Sequence, residues 1–195
     1  MGCAQAPEFS GIEYVFLDRD GVLNRKPARG GYVTCWEDFH LLAEVPEAIA
    51  ALNRSQRKVI VVTNQRGIAL GLFSLPDLER LHDRLRGELA AKGAHLDAIY
   101  VCPHDNGQCN CRKPETGLFE MAFDDFPGAR PQNSVVIGDS LRDIEAGVRL
   151  GMRTVLIANA EDATAEAARA AALAQTTLSS LAEFVEQCLG CHCGA

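Results

Sequence analysis

The chain has no excess of positive charge: 19 lysines and arginines stand against 26 aspartates and glutamates, for a formal net charge of −7. That balance lacks the basic footprint of a general nucleic-acid binder. It also repels anions at long range, so a site for a phosphate has to be made attractive locally by a cation. Long apolar runs are missing too, and none approaches the roughly 20 residues that cross a bilayer. The amino terminus has no charged segment followed by a hydrophobic stretch, and Met1-Gly2 is followed at position 6 by Ala6, where a myristoylation signal carries Ser or Thr. Internal repeats and a domain linker are absent. These absences predict a cytoplasmic protein with neither nucleic acid nor membrane as partner. At 195 residues, 47% apolar and 23% charged, the chain suits one globular domain spanning 1–195.

What the chain does have is cysteine, eight in all. In a reducing compartment these are thiols or metal ligands before they are disulfides. Cys102, Cys109 and Cys111 crowd beside His104, while Cys188, Cys191 and Cys193 end the chain. The tail segment Cys188-Leu189-Gly190-Cys191-His192 spells the C-x-x-C-H haem-attachment pattern, but with no export signal it reads as a frayed tail with adventitious metal affinity.

Five short runs rich in β-formers, Ile12 to Leu17, Lys58 to Val62, Ala98 to Val101, Ser134 to Ile137 and Thr154 to Ile157, are nearly continuous in apolar residues, as strands covered on both faces are. Helical patterns separate most of them: Val45 to Leu52, the Leu78/Leu81/Leu85/Leu89 series capped by Ser74 and Asp77, Gly117 to Phe126, and Leu141 to Leu150 stopped by Gly151. Glu161 to Ala174 and Leu181 to Leu189 come after them as helices. The alternation predicts an α/β fold, a three-layer Rossmann-like domain around a parallel sheet, with its core over about 12–158, carboxy-terminal helices over 161–189 and a tail at 190–195. Arg19 to His40 and Pro103 to Thr116 are the longest irregular stretches, and both leave the ends of strands, where open parallel sheets bind ligands.

Asp18 and Asp20 sit just past the first strand, with Gly21 allowing a sharp turn. Alone, such a pair is as readily a loop decoration as a catalytic device. Three further polar clusters fall at strand ends: Thr63-Asn64-Gln65, Arg112-Lys113-Pro114 and Gly138-Asp139-Ser140-Leu141-Arg142-Asp143. A parallel sheet brings these ends to one edge, so the acids, a hydroxyl and a lysine share one site.

These four segments resemble the motifs of the haloacid dehalogenase superfamily of phosphohydrolases. The resemblance implies Asp18 as nucleophile, Asp20 as general acid and base, phosphoryl contacts from Thr63 and Lys113, and Mg²⁺ held by Asp18, Asp139 and the backbone of Asp20. Asn64, Gln65 and Ser140 are expected along the substrate. Asp143 either orients Lys113, holds a metal-bound water, or favours the dipole of its helix. A phosphoacceptor signalling domain also gathers acids, a Thr and a Lys at a sheet edge, but its acids come from different strand ends, whereas Asp18 and Asp20 are neighbours.

Cys102, His104, Cys109 and Cys111 form the Cys₃His set of a closed, structural Zn²⁺ site, the alternative being a loop of free thiols with a surface histidine. The C-P-H and C-x-C-R-K-P segments resemble the branch holding heptose 1,7-bisphosphate 7-phosphatases and histidinol-phosphate phosphatases. Between His104 and Cys109 only four residues intervene, a short linker. The segment Asn24 to Phe39 is too short for a cap domain, so the site is expected to be open. Arg112 is expected to recognise a second phosphate bidentately, and Arg66 either does the same or is a solvated surface charge. The expected partner is a small phosphorylated metabolite, a sugar bisphosphate ahead of histidinol phosphate, for a monomer or small homo-oligomer.

Overall fold

In a computed structural model, residues 9–27, 30–158 and 164–190 are described. The tail residues Cys191, His192 and Cys193, and the first residues of the helix expected from Glu161, lie outside that set. Six parallel strands form one sheet: β1 (Tyr14–Leu17), β2 (Lys58–Asn64), β3 (Ala98–Cys102), β4 (Ser134–Gly138), β5 (Arg153–Ile157) and β6 (Thr176–Leu178). Their spatial order is β3-β2-β1-β4-β5-β6. The chain winds outward from β1 to β3 and then returns to the other side of β1, so the direction of winding reverses between β1 and β4. Loops leaving the carboxyl ends of those two strands diverge and open a crevice there.

Helices cover both faces of the sheet, as the near-continuous apolar strands require. Val15 and Leu17 face α1 (Val45–Arg54), α2 (Leu75–Ala90) and α6 (Leu181–Leu189), through Ile49, Leu81, Leu85 and Phe184 among others. Phe16 points the other way, with Ile60, Val62 and Val136, onto α3 (Gly117–Asp125) and α4 (Leu141–Leu150). The last helix to be placed, α5 (Ala165–Leu173), packs on α4 through Ala170 and Ile144. Ser74 caps α2 in a reciprocal box with Asp77, whose N–H donates to Ser74 Oγ at 3.3 Å. Gly151 ends α4 at φ +70°, a left-handed residue that costs glycine nothing. No helix among the described residues is long and apolar enough to cross a membrane.

His82 lies on the inner face of α2, 5% exposed, with Nε2 lacking a partner. Burial, then the nearby Arg19 and Arg86, lower it from 6.5 to about 3. The unfolded chain takes up a proton near pH 6.5 and the folded chain does not, so stability from neutral His82 is present above that pH and lost as pH falls, by about 1.4 kcal/mol per unit. Urea unfolding at pH 7.5 and pH 5.5 therefore separates wild type from His82→Leu. Wild type loses about 1 kcal/mol more than the variant on acidification, and equal losses in the two proteins would refute the assignment.

Candidate active site

Asp18 comes directly after β1, and its N–H donates to Ile137 O of β4 at 2.9 Å, which pins it at the sheet's reversal point. Asp139 comes after β4 on the same edge. Between them Gly21 turns at φ +97°, where a Cβ would stand 2.1 Å from Asp139 Oδ2. Only glycine allows the loop to lie so close to that carboxylate. Asp143 is carried back to the edge by α4 and packs against Gly138, whose own Cβ would fall 2.2 Å from that of Asp143.

Lys113 is the hub. Its side chain is 2% exposed, and Nζ stands 2.8 Å from Asp18 Oδ1, 2.5 Å from Asp143 Oδ1 and 2.7 Å from Val62 O. Asn64 fixes the lysine's main chain from both sides: Lys113 N donates to Asn64 Oδ1 at 3.0 Å, and Asn64 Nδ2 donates to Lys113 O at 3.0 Å. Ser140 donates from Oγ to Asp143 Oδ2 at 2.6 Å and from its N–H to the same oxygen at 3.1 Å. Asp143 thereby orients the lysine. Burial alone would lower Lys113, but Asp143 and Asp18 outweigh it and hold the ammonium charged.

Asp20 is turned away from this cluster and held by four donor groups. Arg19 Nη2 donates to Oδ2 at 2.8 Å and Nε to Oδ1 at 3.3 Å; Asn24 Nδ2 donates to Oδ1 at 2.9 Å and Gln65 Nε2 to Oδ2 at 3.0 Å. Gln65 Nε2 also donates to Thr63 Oγ1 at 2.9 Å. Thr63 is 1% exposed, so its hydroxyl meets Gln65 rather than the open cleft. Sequence reasoning missed Arg19. It is fully buried and covers the ring of Phe39, which stacks on Trp36 with centroids 5.1 Å apart. The only signal was an arginine set between two acids in a loop.

Negative charge exceeds positive charge at the centre. Oxygens of Asp18, Asp139 and Asp143 lie within 4.8 Å of one another. Burial lifts Asp18 to about 7 against the pull of Lys113, with Asp143, Asp139 and Asp20 adding repulsion. Burial and Asp143 lift Asp139 to about 6, although Lys26 Nζ is 2.6 Å away. An all-oxygen donor set with surplus charge suits a small hard dication.

A cleft of about 620 Å³ opens over these residues. Asp18, Asp20, Asn64, Gln65, Arg66, Arg112, Lys113, Asp139, Ser140 and Asp143 all reach it. Lys26, Tyr32, Asn106 and Arg142 reach it as well, none of them assigned a role from sequence. Arg66 is paired with Asp105. Arg112 is 9% exposed, donates from Nε to Asn106 Oδ1 at 2.9 Å, and keeps a buried Nη1 with no partner.

Beside the cleft, one donor atom from each of Cys102, His104, Cys109 and Cys111 gathers within 4.8 Å. The sulfurs of Cys102 and Cys109 are 3.6 Å apart, those of Cys109 and Cys111 3.3 Å, and His104 Nδ1 is 3.7 Å from Cys102 and 3.4 Å from Cys111.

The chain is 42% identical over 132 residues to a D-glycero-alpha-D-manno-heptose-1,7-bisphosphate 7-phosphatase of Mycobacterium tuberculosis, covering 67% of this chain and 69% of that protein. It is 37% identical over 184 residues to a D-glycero-beta-D-manno-heptose-1,7-bisphosphate 7-phosphatase of Haemophilus ducreyi, covering 90% of this chain and 99% of that one. The chain belongs to the haloacid dehalogenase-like phosphatases. The family described as HAD-hydrolase-like matches residues 110–184. Among solved structures, the D,D-heptose 1,7-bisphosphate phosphatase of B. bronchiseptica, complexed with magnesium and phosphate, superposes with a TM-score of 0.80 at 31% identity, over 91% of this chain and 98% of that one. In this phosphatase the family's sheet edge carries the Asp18, Thr63, Lys113 and Asp139 segments side by side.

Proposed function

We propose that this chain is a magnesium-dependent phosphomonoesterase that removes the 7-phosphate of D-glycero-D-manno-heptose 1,7-bisphosphate through an aspartyl-phosphate on Asp18. The observation that carries it is the placement of Asp18 against buried Lys113, with Asp139 alongside and Asp20 held off the cluster on its own donors. Asp18 and Asp139, with the main-chain carbonyl of Asp20, would hold Mg²⁺, which supplies neutralising charge to the phosphoryl oxygens. The Asp18 carboxylate attacks phosphorus and the bond to the sugar oxygen breaks. Asp20 gives its proton to that departing oxygen, then takes a proton from the water that displaces Asp18 from phosphorus. Lys113 meets the equatorial oxygens, and Thr63, whose Oγ1 accepts from Gln65, donates its own hydroxyl proton to them. Asn64 and Ser140 serve as positioning residues for Lys113 and Asp143.

Among the described residues, the stretch between β1 and α1 contains a short 3-10 turn, Trp36–Asp38, and two isolated bridges at Asn24, but no further helix or strand, which supports an uncapped site. Residues 1–195 then work as one phosphohydrolase unit in the cytoplasm. Arg112, with its unpartnered Nη1, faces the second phosphate, and Arg66 joins it by leaving Asp105.

The cysteine loop holds structural zinc in this reading. Zn–S bonds of about 2.3 Å in a tetrahedron set ligand edges of about 3.7 Å, close to the observed separations, and four protein ligands leave no open position. Purified protein is expected to contain about one zinc per chain by elemental analysis. Cys111→Ser loses it and unfolds at lower temperature. Zinc-free wild type that takes up none on refolding with the metal would refute the site.

The activity is tested by phosphate release from both anomers of the bisphosphate and from histidinol phosphate, with Mg²⁺ and with chelator. Magnesium-dependent release favouring one heptose anomer is expected, and the relatives include an enzyme named for each. Histidinol phosphate hydrolysed far faster would overturn the substrate.

A further inference from the structure

The cleft is lined by three guanidinium groups, on Arg66, Arg112 and Arg142. Their charges are met very differently. Arg66 has Asp105. Arg112 hydrogen-bonds only the neutral amide oxygen of Asn106 among the described residues, its buried Nη1 has no hydrogen-bond partner, and Asp105, already paired with Arg66, is near enough to feel its charge. Arg142 makes no hydrogen bond or ion pair with any described residue. Glu166 of α5 reaches the same cleft but forms an ion pair with neither.

Arg142 is the second residue of α4, whose first turn also carries Asp143 and which begins just after Asp139. Its backbone is thus fixed to the element that builds the metal-side wall. Arg112 comes from a different element, the stretch between β3 and α3, next to Lys113. Arg142 is exposed to water, yet its charge reaches Arg112, which is lowered chiefly by burial and next by Arg142. Two arginines close enough to feel each other can meet one dianion together, and guanidinium forks match phosphate oxygens two at a time. On a chain of net charge −7, two arginines in one cleft also offset part of the repulsion that a bisphosphate meets.

We infer that Arg142 is a specificity-determining residue, which with Arg112 clamps the phosphate that is not hydrolysed. This rests on the bisphosphate reading of the site. It adds a second wall to the anion site, so that selectivity between a bisphosphate and a monophosphate of the same sugar depends on both arginines together.

The test is kcat/KM for the sugar bisphosphate and for the matching sugar 7-monophosphate, in wild type, Arg142→Gln, Arg142→Lys and Arg169→Gln. Arg169 is an exposed arginine of α5, loosely paired with Glu145 at 3.6 Å, and controls for loss of charge alone. Wild type should prefer the bisphosphate. Arg142→Gln should cut that preference by about tenfold or more, mainly through KM, as loss of a charge-assisted contact does. Arg142→Lys should restore part of it, and Arg169→Gln should keep the wild-type preference. A preference that survives Arg142→Gln within about twofold, or one that Arg169→Gln lowers equally, overturns the inference alone. A wild type that shows no preference overturns the bisphosphate reading and this inference with it.

Discussion

Asp18→Asn abolishes turnover, with kcat falling by about 10,000-fold or more on any substrate, because the amide cannot form the acyl phosphate on which both half-reactions depend. The protein should stay folded, since the substitution removes a charge from a cluster that has too much of it: the carboxyl is pushed up to about 7 by burial despite Lys113. Asp20→Asn behaves differently. With p-nitrophenyl phosphate, whose leaving group needs little help from an acid, Asp18 still attacks. The phosphoenzyme then lacks the base that activates water. Rapid mixing should give a burst of about one p-nitrophenolate per active site and then slow turnover, and intact-mass analysis should find one phosphoryl group on the protein. Steady hydrolysis by Asp18→Asn, or the absence of both burst and adduct in Asp20→Asn, would rule out the covalent route.

The placement of these residues was legible because a parallel sheet translates sequence into position. Once Phe16, Val62, Tyr100 and Ile137 are recognised as buried strand residues, the carboxyl ends of their strands have to meet at one edge, and Asp18, Thr63, Cys102 and Asp139 do. The strand β6, only Thr176–Leu178, was not expected, since three residues carry no period to detect. The finer division of labour was hidden for another reason. Asn64 and Gln65 look alike in sequence as polar residues beside a phosphate site. In the fold one grips the main chain of Lys113 across 49 positions and the other links Asp20 to Thr63. Arg19 was invisible because its worth depends on Phe39 and Trp36, brought beneath it by a loop with no regular pattern. Local sequence announces a charge; which other charge it meets is a tertiary fact.

Lys113 is where stability and catalysis are hardest to separate. With its ammonium removed, as in Lys113→Met, Asp18 and Asp143 face each other and Asp139 inside a largely dehydrated site. Breaking a buried pair by deleting one partner costs about 3–5 kcal/mol, and the equatorial oxygens lose their fixed cation, worth about 100- to 1,000-fold in kcat. The stability loss has a defined pH dependence. Without the lysine, Asp18 rises above its present value of about 7, far from 3.8 in the unfolded chain. A carboxyl that binds its proton more tightly when folded favours unfolding as pH climbs. Urea unfolding in chelator should therefore find the deficit largest near pH 8 and shrinking toward pH 5. Adding Asp143→Asn to Lys113→Met should recover much of the stability and none of the activity, because the repulsion is relieved while the phosphoryl contact stays absent. A deficit that is flat with pH, or a double variant no more stable than the single, would mean that packing of the lysine's methylenes, and not its charge, holds the two acidic walls together.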